Sequence, residues 1–164
     1  MNLESGPRRG TPSPRISVIG AGAPSPEEAR LAFELGRALG KAGAVVITGG
    51  LGGVMEAASR GCAEAGGTTV GILPGPDAAQ ANRWCSIPLA TGMGEARNAL
   101  VVRAGQAAVA VGGGWGTLSE IALARKMGRE VALLGTPPCD LDLPTFSSAQ
   151  EAARWALQGV SGIR

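Results

Sequence analysis

A chain of 164 residues with 45% hydrophobic content can bury one core without disulfide or metal staples, and 27 glycines with 3% aromatics make that core aliphatic and many turns tight. Lys and Arg number 15 against 13 Asp and Glu, and a net charge of +2 gives no broad basic field for duplex nucleic acid or anionic lipid. The absence of His and Tyr removes His-based triads, most zinc sites and phenolic acids, leaving Asp, Glu, Arg, Lys, Ser, Thr and Cys for any chemistry.

Residues 1–14 are polar, rich in Pro and Gly and without hydrophobic period, so a disordered tail is expected there, followed by one domain over residues 15–164. The first strand is predicted from Ile16 to Gly20. Ser25 then caps a helix whose first position is Pro26. Glu28 completes a Ser-x-x-Glu capping box, Leu31, Leu35 and Leu39 form one stripe, and Gly43 ends the helix. A second strand, Ala44 to Thr48, runs through a glycine loop into a helix extending from Gly53 to about Ala65. Strands from Thr69 to Leu73 and from Ile87 to Thr91 precede a helix over about Ala96 to Ala104. The fifth strand, Ala107 to Val111, leads through glycines into a helix from Thr117 to Met127. After a sixth strand, Val131 to Leu134, the turn-rich run TPPCDLDLP joins an amphipathic helix from about Ser148 to Leu157. There Ser148 and Glu151 have capping-box spacing and Trp155 is available to pack. Short apolar runs alternating with helices predict an α/β fold, a doubly wound parallel sheet with helices on both faces.

Cys62, Cys85 and Cys139 are odd in number and widely spaced, which suits reduced thiols in a cytoplasm rather than a disulfide framework or metal knuckle. No apolar run approaches the roughly 20 residues of a membrane span, and the N-terminus has no signal-peptide core. A cytoplasmic protein is expected, with no metal and no nucleic-acid or membrane partner.

Chemistry is most concentrated where strands end in glycines and helices begin. Val111-Gly112-Gly113-Gly114-Trp115-Gly116-Thr117-Leu118-Ser119-Glu120 has this form, as does Thr48-Gly49-Gly50-Leu51-Gly52-Gly53-Val54-Met55-Glu56. Glycines let the backbone approach a ligand, and the free amides of a helix start present partial positive charge to an anion. Both loops, with Gly20-Ala21-Gly22-Ala23-Pro24-Ser25, belong to the carboxyl edge of the sheet, where open sheets bind ligands. Each loop taken singly also reads as an ordinary tight turn. Thr117-x-x-Glu120 has capping-box spacing, so its carboxylate alone reads as satisfying a backbone amide, and Arg97 alone reads as a solvated arginine at a helix start. A dinucleotide fingerprint is disfavoured because Ser25 stands where its third glycine belongs and Gly49 and Gly50 follow the second strand in place of an acid. A P-loop lacks its lysine. The only lysines, Lys41 and Lys126, lie near helix ends, where a pyridoxal phosphate Schiff base is poorly supported.

The Gly49-Gly50 pair followed by Gly53-Val54-Met55-Glu56, the Arg97-Asn98 pair and the run Gly113-Gly114-Trp115-Gly116-Thr117-Leu118-Ser119-Glu120 together resemble the Lonely Guy-type, Rossmann-like superfamily. Its members often carry the label lysine decarboxylase, an activity not expected here. The last run corresponds to the superfamily's PGGxGTxxE signature. The resemblance implies a Rossmann-like homodimer or higher homo-oligomer holding a phosphorylated small molecule, with ligand contacts at Gly20, Gly22, Gly49, Gly50, Gly53, Met55, Asn98, Gly113, Gly114, Gly116 and Thr117. It also implies that Arg97 and Glu120 form a catalytic pair hydrolysing the N-glycosidic bond of a nucleoside 5′-monophosphate, a phosphoribohydrolase reaction that needs no cofactor. A carboxylate near the anomeric carbon would stabilise oxocarbenium charge and activate water, while the arginine holds an anionic group. Two departures resemble instead the molybdenum cofactor carrier branch of the superfamily. The proline opening the signature is Val111 or Gly112, and the lysine after the arginine is Asn98. The alternative expectation is therefore a non-catalytic carrier of molybdopterin, or a protein that binds a nucleotide or phosphate.

Overall fold

The computed structural model describes residues 11–161; residues 11–14 have no helix or strand, and the rest of the expected tail lies outside the described residues, as do residues 162–164. Runs of Val, Ile and Ala form the strands. These are β1 (Arg15–Gly20), β2 (Val45–Thr48), β3 (Thr68–Leu73), β4 (Ile87–Ala90), β5 (Ala107–Val111), β6 (Glu130–Leu134) and β7 (Thr145–Phe146). All pair in parallel. Every residue of β5 is buried, and its side chains divide by parity, Ala107, Val109 and Val111 entering one cluster while Ala108 and Ala110 enter the other. That division requires helices on both faces. The first face is covered by α1 (Pro26–Lys41), α2 (Val54–Glu64) and α5 (Ala149–Ser161), the second by α3 (Asn98–Ala104) and α4 (Trp115–Lys126). This is the expected α/β, Rossmann-like, doubly wound domain.

The sheet order is β4-β3-β2-β1-β5-β6-β7. After β1 the chain steps outward through β2, β3 and β4, then crosses to the other side of β1 and steps outward again. The loops leaving β1 and β5 therefore diverge, and a crevice opens above their carboxyl ends.

Several elements differ in detail from their sequence-based expectation. A seventh strand exists because two residues after the turn-rich connector pair with Leu133 and Leu134. Its ring Phe146 lies 6.2 Å from the Trp155 ring, which ties it to α5. The third helix is split into a 3-10 turn, Gly94–Arg97, followed by α3. The fourth helix starts two residues early, at Trp115, with Gly114 as its N-cap. The cap of α1 is as read, with the Glu28 amide donating to Ser25 Oγ at 3.2 Å and the Ser25 amide donating to Glu28 Oε2 at 2.7 Å. All three cysteines are free, and burial pushes the Cys62 thiol up to about 11.

Helices α1 and α2 approach backbone to backbone at Gly36 and Gly61. A methyl group added to Gly36 would fall on the Ala58 carbonyl, and one added to Gly61 would fall on the Phe33 carbonyl. Both obstacles are backbone, so relief requires the helices to part. Gly36→Ala is expected to lower the unfolding free energy by about 2 kcal/mol in urea titration, even after the roughly 1 kcal/mol that alanine gains in helix propensity.

Candidate functional site

The carboxyl ends of β1 and β2 deliver Gly20, Gly22 and Gly49, the start of α2 delivers Met55, and the 3-10 turn with α3 delivers Arg97 and Asn98. From the other side of the switch point, the first turns of α4 deliver Gly114, Gly116, Thr117 and Glu120. These residues line one cleft of about 290 Å³, floored by Val18 and Ile19 of the central strand. The remaining expected positions shape the loops without lining the cleft. Gly53 is the N-cap of α2 with φ of 70° and lies against the Ala21 and Gly22 carbonyls. The Val54 amide donates to the Ala21 carbonyl at 2.9 Å, fastening the β1 loop to α2. Gly50 receives the Asn82 amide on its carbonyl at 2.8 Å, and Gly113 packs behind Thr117.

Both helix starts in this rim are open. No side chain caps α2 at Gly53 or α4 at Gly114. In α4 the Leu118 amide closes the first turn onto the Gly114 carbonyl at 2.9 Å, leaving the earlier amides as donors for a ligand. With Gly114 as the cap, Thr117 is the third residue of the helix, only 3% exposed, and it cannot act as an N-cap for Glu120. The capping-box reading of that pair is thus overturned.

Arg97 is also not a solvated helix-start arginine. It is 8% exposed, and its Nε has no hydrogen-bond partner among the described residues. Desolvation works against its charge, opposed by the nearby carboxylates of Glu120 and Glu95. Glycine at position 49 makes room for it, since a methyl group there would overlap Arg97 Nη1. Glu120, equally buried, has its carboxyl pushed up to about 7, mainly by desolvation, with Arg97 pulling it down and Glu95 pushing it further up. The cleft therefore holds one buried cation with an unpartnered Nε, the uncapped start of α4 and a carboxyl poised between its two protonation states. That arrangement can seat an anionic group and exchange a proton or hydrogen bond with a second polar group beside it.

Sequence reasoning passed over Glu95, which lines the cleft and lowers the net positive charge at its rim. Its only signal was membership of the Gly92-Met93-Gly94-Glu95-Ala96-Arg97-Asn98 run. Among the described residues no group of three or more His, Cys, Asp or Glu could hold a metal ion, and no helix is long and apolar enough to cross a membrane.

Comparison with known proteins adds three findings. A model described as the SLOG cluster4 family matches residues 13–159. An uncharacterized protein of Archaeoglobus fulgidus is 42% identical over 143 residues, spanning 87% of this chain and 94% of its own. Among solved structures, the molybdenum cofactor binding protein of the phototrophic bacterium Rippkaea orientalis is 33% identical with a TM-score of 0.85, covering 92% of this chain and 99% of that one. The molybdenum cofactor carrier protein MCP of Chlamydomonas reinhardtii is 36% identical with a TM-score of 0.84, again over 92% and 99% of the two chains.

Proposed function

The chain belongs to the SLOG cluster4 family, and we propose that it carries molybdopterin or the molybdenum cofactor as cargo, binding it without chemical change. The end-to-end match to the Rippkaea and Chlamydomonas proteins carries this reading, because 99% of each is covered at 33% and 36% identity. The donor set fits a phosphorylated pterin. Open amides at Gly116 and Thr117 suit the phosphate, and Arg97, buried with an unsatisfied Nε, supplies the balancing charge. Glu120, with its carboxyl near 7, can donate to a pterin carbonyl when protonated or accept from a ring N–H when ionised.

The test is gel filtration of the purified protein after incubation with molybdopterin, with the pterin measured in the protein fractions. Co-elution is expected, and Arg97→Ala is expected to weaken retention by about tenfold or more, the worth of a hydrogen bond to a charged group. Absence of pterin from the wild-type fractions would remove the carrier reading.

Hydrolysis of a nucleoside 5′-monophosphate is the second reading, favoured by one observation: Arg97 and Glu120 share the cleft, and a carboxyl near 7 suits general acid–base work. In that case the arginine would hold the phosphate or departing base while Glu120 activates water at the anomeric carbon. The carrier reading expects no adenine from AMP. Steady adenine release by the wild type, abolished in Glu120→Gln, would replace it with the hydrolase.

A further inference from the structure

Trp115 opens α4 with its side chain 89% exposed, the most exposed of the large hydrophobic residues described, although Gly114 and Gly116 on either side of it both line the cleft. An indole left in water forgoes the stabilisation that burying so large an apolar surface would give. Its place in the helix also sets its direction. Cα–Cβ bonds tilt toward a helix's N-terminus, so a first-turn side chain leans toward the rim from which the cleft opens. Neither flanking residue carries a side chain, and apart from chain neighbours and the helix's own backbone no atom lies within 4 Å of the Cβ position at Gly114 or Gly116. The indole has room to swing.

We propose that Trp115 is a stacking residue that folds over the mouth of the cleft and lies against the flat face of the ligand's heterocycle. With the phosphate fixed at the amides of Gly116 and Thr117, the ring of the same ligand falls beside the start of α4, within reach of a side chain leaning from that turn. The indole then covers the planar ring while Val18 and Ile19 remain beneath the cleft. Identification of that ring as a pterin rests on the carrier reading above. The geometry itself selects a planar aromatic group joined to a phosphate.

The experiment compares wild type, Trp115→Ala and Trp115→Phe for retention of molybdopterin and, separately, for binding of inorganic phosphate, which has no ring to stack. Trp115→Ala is expected to weaken molybdopterin retention about tenfold and Trp115→Phe by no more than about threefold, with phosphate binding unchanged in both. Tryptophan emission is expected to fall when molybdopterin is added to the wild type. That quenching should be largely lost in Trp115→Phe, where Trp84 and Trp155 remain. Undiminished molybdopterin retention by Trp115→Ala overturns the stacking role, as does an equal loss of phosphate binding, the mark of a damaged loop. Wild-type protein that binds phosphate but not molybdopterin overturns the carrier reading first, and the pterin as stacking partner with it.

Discussion

Gly49→Ala is expected to lower molybdopterin retention about tenfold, as Arg97→Ala does, while leaving the thermal melting temperature nearly unchanged. The added methyl group would occupy the position of Arg97 Nη1 and come within 2.6 Å of Met55 Sδ. Both atoms lie in the outer part of flexible side chains, so the backbone after β2 need not move and the cost falls on the site. Arg97 must leave the seat it fills, and losing a hydrogen bond from a charged group costs binding about tenfold or more. Measurement of retention beside a calorimetric melt separates the two effects. Wild-type retention in this variant would show that Arg97 is not the anion's anchor.

The second large effect is a dependence of stability on pH that follows from Glu120. Its carboxyl titrates near 7 in the native state against an ordinary value of 4.5, so between these limits the folded protein holds a proton that the unfolded chain has released. The associated stabilisation is fully present below about 4.5 and is lost as pH rises through about 7, a difference of about 3 kcal/mol at most. Glu120→Gln does not titrate. Its unfolding free energy is expected to exceed the wild type's at about pH 8 and to converge with it near pH 4, the gain being reduced because Arg97 loses a neighbouring negative charge. Urea titrations across this range read the effect directly, and parallel curves for the two proteins would contradict it. The same proton makes the cleft less negative in acid. Retention of an anionic cargo should weaken as pH rises through about 7.

The strand ladder and the cap of α1 are readable from periodicity and from Ser25-Pro26-x-Glu28, because those signals are local. The strand of Thr145 and Phe146 was not, since two residues have no period and their pairing with Leu133 and Leu134 is imposed by the neighbouring strand. The role of Arg97 was equally hidden from pattern alone. Its environment depends on the absence of a side chain at Gly49, contributed by the loop after β2, and on Glu120 from across the switch point. For Glu120, spacing from Thr117 suggested a cap, and only the actual helix start at Trp115 removed that option. The resemblance to a family brought Arg97 and Glu120 forward where their local sequence did not.

Everything through α3 extends the sheet to one side of β1 and everything from β5 onward extends it to the other, joined within the sheet by the five-residue β1–β5 register from Ile16↔Ala107 to Gly20↔Val111. A bound molecule touching both Arg97 and Thr117 acts as a rivet between two halves that are translated one after the other. Loading should therefore slow deuterium uptake most along that central ladder, and the empty protein should open there more readily than the loaded one.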